Sequence, residues 1–180
     1  ELDDRDIRLA LEALKEQLPA YDRTAEIAGT TLSRQLAADW TTSAGLLGTL
    51  SRVSQEGTTY KYELLQLPLT LRFDNTGSLL DPVHGARLAA TVIPTHSFGT
   101  PSASFAILQL SGSAYLDAGA ALGYDTPGRS VLALRGLFGT IPGQNALGIP
   151  PDARFYAGGS ATVRGFRYQT LGPRFPDGNP

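Results

Sequence analysis

The sequence predicts an all-β fold of about seven antiparallel strands that follow one another in a meander. Long segments alternate apolar and polar residues with a period of two, which is typical of strands with one apolar face. The segments between them are too short to hold crossover helices, so consecutive strands pair antiparallel. No run approaches the roughly 18 consecutive apolar residues that a membrane helix requires. The 180 residues suffice for one domain.

The first segment, 6–17, fits two periods. Strand alternation would place Ile7, Leu9, Leu11 and Ala13 on one face, whereas a helix would place Ile7, Leu11, Leu14 and Leu18 on one face. The next segment, 24–36, is rich in Thr, Ala and Gly and has no helical stripe. We therefore expect both segments to be strands, with a turn at 37–39 after the second.

The clearest strand is 60–74. Its odd positions from Leu65 to Phe73 are all apolar, a five-residue row that no helix would produce. Pro68 lies on the polar face and removes one ladder hydrogen bond, so we expect an irregularity there. Tyr60 and Tyr62 fit either an aromatic girdle at a membrane interface or ordinary cross-strand packing.

Four further strands are expected, at 40–54, 86–95, 104–117 and 130–139. Turn or loop sequences separate them, at 75–85, 96–102 and 119–129. In the last strand, Leu132, Leu134 and Phe138 face one way and Arg135 faces the other. On a lipid-facing position near the midplane an arginine would cost about 2–4 kcal/mol. We therefore expect Arg135 to face inward.

Composition argues against several classes of function. A net charge of −2 gives no basic footprint for nucleic acid, and the absence of cysteine excludes a disulfide scaffold and a Cys-based metal site. His84 and His96 are the only histidines, and they lie on opposite sides of a predicted strand. Gly158-Gly159-Ser160 has no histidine placed to activate the serine. We expect no enzymatic activity, no cofactor and no metal.

Residues 154–174, RFYAGGSATVRGFRYQTLGPR, form the most informative stretch of the chain. Its glycines break any regular element longer than a few residues. Aromatic rings, including that of Tyr168, alternate with arginines, including Arg174. A loop of this length is usually functional or disordered, and its aromatic content argues against disorder. We therefore expect a functional loop.

Two halves of this loop carry a resemblance to a known family. The first half contributes Arg154, Phe155, Tyr156, Gly158 and Gly159, and the second contributes Val163, Arg164, Gly165 and Phe166. With the Leu-Gly-Pro-Arg run after them, they resemble the conserved sixth extracellular loop of the outer-membrane protein assembly factors, the BamA/TamA-like superfamily with its bacterial surface antigen barrel. The chain is most similar to the TamA-like branch. A Leu-Asp-Pro-x-x-Gly run at 80–85 also resembles a turn between two mid-barrel strands of that family.

The resemblance implies a transmembrane β-barrel of sixteen strands, of which this chain supplies the fifth to the eleventh. Residues 1–153 would form part of the barrel wall, and residues 154–180 would form the conserved loop, which enters the lumen. The guanidinium of Arg164 would pair there with a carboxylate from strands beyond residue 180. We accordingly expect the chain to be a fragment of a longer protein.

The resemblance also implies a function. The protein would reside in the outer membrane of a Gram-negative bacterium and help to insert or secrete other outer-membrane proteins, with autotransporters among the clients. Its partners would be the lipid bilayer, the client proteins and a periplasmic or inner-membrane accessory subunit.

Two other functions fit parts of the sequence. A two-partner secretion pore of the same superfamily shares the loop motif and would differ in its amino-terminal domains. A soluble all-β binding domain would pack the apolar row at 65–73 against a second sheet. Such a domain would stay monomeric without detergent.

Overall fold

The computed structural model describes residues 5–18, 21–55, 57–98, 102–123, 128–144, 149–159, 162–167 and 171. Within them, the chain forms one antiparallel sheet. Its strands are β1 (Arg5–Gln17), β2 (Asp22–Ala37), β3 (Trp40–Gln55), β4 (Thr58–Gln66), β5 (Leu69–Asp74), β6 (Gly85–Ser97), β7 (Ala103–Asp117) and β8 (Val131–Thr140). The predicted all-β meander is confirmed, and segment 6–17 is a strand that pairs with β2 along its whole length.

The predicted strand at 60–74 is interrupted at Leu67 and Pro68, so that it appears as β4 and β5. Both parts pair with β3 on one side and with β6 on the other. The backbone N–H of Gly45 still donates to the carbonyl of Pro68 (2.8 Å), and that of Leu67 donates to the carbonyl of Pro94 (3.0 Å). The expected irregularity at Pro68 is therefore confirmed, and the two parts act as one bent strand.

One predicted strand boundary is wrong, and one predicted turn region holds a short helix. His96 and Ser97, predicted to begin a loop, are the last residues of β6 and pair with β7. The ring of His96 is held there by Ser104, whose hydroxyl oxygen lies 2.8 Å from Nδ1. Within the predicted turn region at 119–129, a short helix, α1 (Ala118–Ala121), follows β7. The Asp117 carboxylate caps it by accepting from the backbone N–H of Ala120 (3.0 Å).

The sheet has two chemically different faces. The outer face carries the apolar rows, and one row running across four strands contains Leu11, Ala28, Gly48 and Leu65. These side chains are exposed, Leu11 to 88%. The inner face carries the opposite positions, and the residues of the sheet's two apolar clusters lie on it, among them Val53, Tyr62, Phe105 and Ile107. Among the described residues, no helix is long and apolar enough to cross a membrane.

The two ends of the sheet also differ. The connections between β2 and β3, between β5 and β6 and between β7 and β8 lie at one end of the sheet, which we call the turn end. At the other end, the loop end, lie Gln17, Asp22, Gln55, Thr58, Ser97, Ala103 and Thr140. The chain leaves β8 at the loop end, and we call the segment that follows β8, from residue 141 onward, the loop.

Candidate functional site

The part of the loop before Arg154 lies on the inner face of the sheet at the loop end. Ile149 packs into a cluster with Ala103, Phe105 and Ile107. Pro150 and Pro151 are fully buried, and a single 3-10 turn, Pro151–Ala153, begins at the second of them. Because proline has a fixed φ, this part of the loop presents a stiff backbone to the wall.

A buried ion pair joins the loop to the wall. Nη2 of Arg23 on β2 lies 3.1 Å from Oδ2 of Asp152, and their side chains are only 15% and 5% exposed. Glu16 on β1 lies 3.8 Å from the other terminal nitrogen of Arg23. Burial raises the pKa of Asp152, and the Arg23 guanidinium opposes that shift. The Arg23–Asp152 pair is therefore a specific contact between the loop and the wall, in addition to the apolar packing.

Arg154, the first residue of the RFYAGG half, holds the loop's own shape. Its Nε donates to the carbonyl of Ile149 (3.0 Å), which closes the turn around Pro151. The guanidinium of Arg154 also opposes the effect of burial on Tyr156, whose pKa is raised. Arg154 thus acts within the loop, whereas Arg23 and Asp152 act between the loop and the wall.

The two aromatic residues of this half contact different strands. The ring of Tyr156 lies 6.3 Å from that of Tyr21 between centroids and packs on the cluster that contains Val53. The ring of Phe155 lies directly over Gly139 of β8, where a Cβ atom would come within 2.6 Å of it. Glycine at 139 therefore makes room for the ring of Phe155.

The RFYAGG and VRGF halves are brought together by a compact set of hydrogen bonds. Gly158 and Gly159 have positive φ. The hydroxyl of Thr162 accepts from the N–H of Gly158 and donates to its carbonyl, both at 2.8 Å. Gly159 forms a bridge with Val163 and donates to the carbonyl of Phe166 (2.8 Å). The two halves of the motif therefore form one folded unit.

The VRGF residues themselves lie at the surface of this unit. Arg164, Gly165 and Phe166 are exposed, and Val163 is half-buried. Within the described part of the chain, the Arg164 guanidinium makes no ion pair or hydrogen bond. The carboxylate partner expected for Arg164 stays a prediction. Ser160, Tyr168 and Arg174 lie outside the described residues.

A polar cavity of about 210 Å³ separates the two apolar contacts of the loop. Arg23 and Asp152 line it, together with Gln66 and Gln109 from the wall.

Sequence reasoning missed Arg23, Asp152 and the buried prolines. A signal was present for the wall side, because Val53, Leu64, Phe105 and Ile107 are apolar residues at inward positions of strands whose other inward positions are mostly polar. Apolar side chains at such positions are expected to be buried under another segment of the protein.

The sequence matches a family model described as the Omp85 superfamily domain, over residues 5–180. The match spans the sheet and the loop together.

Proposed function

The chain belongs to the Omp85 superfamily, a superfamily of outer-membrane proteins that assemble or secrete other proteins, and from this premise we propose that it is part of an assembly barrel of the TamA-like branch. In this proposal the sheet forms the fifth to eleventh of sixteen strands, and its outer face contacts lipid. The client is another outer-membrane protein, and no covalent bond is made or broken.

The observation that carries the proposal is the docking of the loop on the inner face. Closing such a sheet into a barrel, with the face that carries the loop inside, turns this inner face into the lumen wall. A loop that is anchored on it through two apolar clusters and the Arg23–Asp152 pair would brace the lumen. A braced wall keeps its shape while another part of the barrel opens.

That other part is the seam, where an exposed strand edge could pair with a strand of the client. Addition of a strand to a sheet edge uses main-chain hydrogen bonds and tolerates many client sequences. The VRGF half of the loop would extend into the lumen, and the Arg164 guanidinium would pair there with a carboxylate from the far wall. A periplasmic or inner-membrane subunit would deliver the client.

The proposal is tested with Arg164→Ala in the protein expressed in the outer membrane. We expect the barrel to unfold at a lower temperature on heat-modifiability gels and client insertion to fall, because a lumenal guanidinium is lost from its partner. The matched control is Arg129→Ala, an exposed arginine in the turn before β8. Unchanged melting and unchanged insertion in the Arg164 variant would exclude the bracing role.

A further inference from the structure

The inner face at the turn end, which the described part of the loop does not touch, carries a group of arginines. Arg72 lies on β5, Arg87 on β6 and Arg135 on β8, all at inward positions. Along the ladder, Asp74, Arg87, Ser113 and Arg135 form one row, and Arg72 lies in the row next to it. On β5 to β8, the inward positions at this end carry three arginines and two aspartates, Asp74 and Asp117, so this part of the inner wall has a net positive charge. The placement of Arg135 on the inner face agrees with the sequence prediction.

Arg87 is fully engaged in the fold. Its Nε lies 3.1 Å from Oδ2 of Asp74, and its Nη2 donates to the Thr76 hydroxyl (2.9 Å) and to the carbonyl of Ser78. Its guanidinium also lies 5.9 Å from the centre of the Tyr115 ring. Arg87 therefore stabilises the connection between β5 and β6, and its positive charge is balanced by the Asp74 carboxylate.

Arg72 and Arg135 are not engaged in this way. Both are exposed, and neither makes an ion pair or a hydrogen bond to another of the described residues. Both line a shallow depression of about 380 Å³, whose floor includes the hydroxyl-bearing Ser111, Ser113 and Tyr115. The ladder neighbours of Arg72 are Thr41 and Ala89, and that of Arg135 is Ser113, so no carboxylate faces either guanidinium across a strand pair.

We propose that Arg72 and Arg135 form a binding surface for an extended acidic polypeptide segment that passes along the inner wall. The two arginines are separated by three strand spacings and offset by one ladder row, which places their Cα atoms about 16 Å apart. An extended chain covers that distance in about five residues. Two carboxylates spaced in this way would each meet one guanidinium fork, which binds a carboxylate through two hydrogen bonds.

The serine and tyrosine hydroxyls between the arginines suit the rest of such a segment. They can donate to or accept from the peptide backbone and impose no preference on its side chains. The inference rests on the proposed barrel, because only a closed wall turns the inner face into a route for a polypeptide. The inference adds to the proposed function that the polypeptide entering at the turn end would carry an acidic segment.

The test is direct binding to the protein in detergent micelles, followed by fluorescence anisotropy. The probe is a labelled peptide with two glutamates about five residues apart, and its matched control has glutamine at both positions. We expect the glutamine peptide to bind at least about tenfold more weakly, because each lost carboxylate removes a charge-assisted hydrogen bond. The variant Arg72→Gln/Arg135→Gln should lose affinity for the acidic peptide by a similar factor.

The matched control variant is Arg5→Gln/Arg34→Gln. Arg5 and Arg34 are ladder partners at the same end of the sheet, but they lie on the outer face. This variant should bind the acidic peptide as the wild type does. Equal affinity for both peptides, or equal loss in the two variants, would overturn the inference. Displacement of the peptide by inorganic phosphate, beyond that by chloride at equal ionic strength, would reduce the surface to a small-anion site and also overturn it.

Each variant is first checked for heat-modifiability and client insertion. If the wild-type protein inserts clients but does not bind the acidic peptide, this inference is refuted and the assembly function stands. If Arg164→Ala leaves melting and client insertion unchanged while the wild-type protein binds the acidic peptide, the bracing role is refuted and this inference stands.

Discussion

The inner face of the sheet has two halves that differ in what covers them. At the loop end, inward positions such as Val53, Leu64 and Phe105 are apolar and buried under the loop. At the turn end, inward positions on β5 to β8 are mostly arginines and hydroxyl residues that stay accessible. The strands and their alternation are the same in both halves. The change in residue type along each strand therefore marks the footprint of the loop.

The covered half also contains the charge that is costliest to disturb. An ion pair in low-dielectric surroundings gains little over an apolar pair of the same volume, but removal of one partner leaves the other charge buried alone. On this argument the Arg23–Asp152 pair determines where the loop docks more than how tightly it docks.

The largest effect is expected from Arg23→Met. It should destabilise the docked loop by about 3–5 kcal/mol, because the Asp152 carboxylate is left buried without its partner. Limited proteolysis of the loop in the detergent-solubilised protein measures the change. The double variant Arg23→Met/Asp152→Leu should recover most of the protection. If the double variant is cleaved as fast as the single one, the pair contributes through more than its charge.

A smaller effect is expected from Gly139→Ala on β8. The new Cβ would overlap the ring of Phe155, and overpacking of this kind costs about 1–3 kcal/mol. Gly136→Ala on the same strand is the control, because a Cβ there meets nothing within 4 Å. The difference in thermal unfolding between the two variants measures the cost of the overlap with Phe155. Equal melting temperatures would mean that the ring moves aside without cost.

The change in docking stability with pH should be smaller than the effects of these substitutions. Its direction follows from the pKa of Asp152. Burial raises the pKa of Asp152 in the docked loop, so the docked state binds this proton more tightly than the undocked state does. The resulting stabilisation is fully present below the ordinary aspartate pKa and is lost as pH rises through the raised value. Proteolytic protection should therefore increase on acidification in the wild type. In Asp152→Asn the protection should show no such change with pH. If the same change appears in this variant, another group causes it.

The smallest effect is expected in the open half. Arg135→Gln removes an exposed side chain without a partner among the described residues, so stability should change by less than about 0.5 kcal/mol. Chemical denaturation would show it. A loss of stability as large as that of Arg23→Met would mean that Arg135 is as important for stability as the residues covered by the loop.

Sequence reasoning succeeded where the signal is local. The alternation in β5 and β8 and the irregularity at Pro68 follow from the strand period and from the missing N–H of proline. It misplaced the end of β6, because His96 and Ser97 are polar residues that join the ladder only through their partners on β7. The family motif within the loop stays a prediction, and sequence reasoning assigned no role to Asp152 just before it.

The sequence by itself determined that this chain forms consecutive antiparallel strands with one apolar face, because a period of two is written into neighbouring residues. It also determined that a glycine- and aromatic-rich loop follows the last strand. Only the tertiary structure decided that Arg23 meets Asp152, that Phe155 lies over Gly139, and that Arg72 and Arg135 share an open wall. These residues are far apart in the chain, and their proximity depends on the register of the whole sheet and on where the loop folds back, which no local pattern encodes.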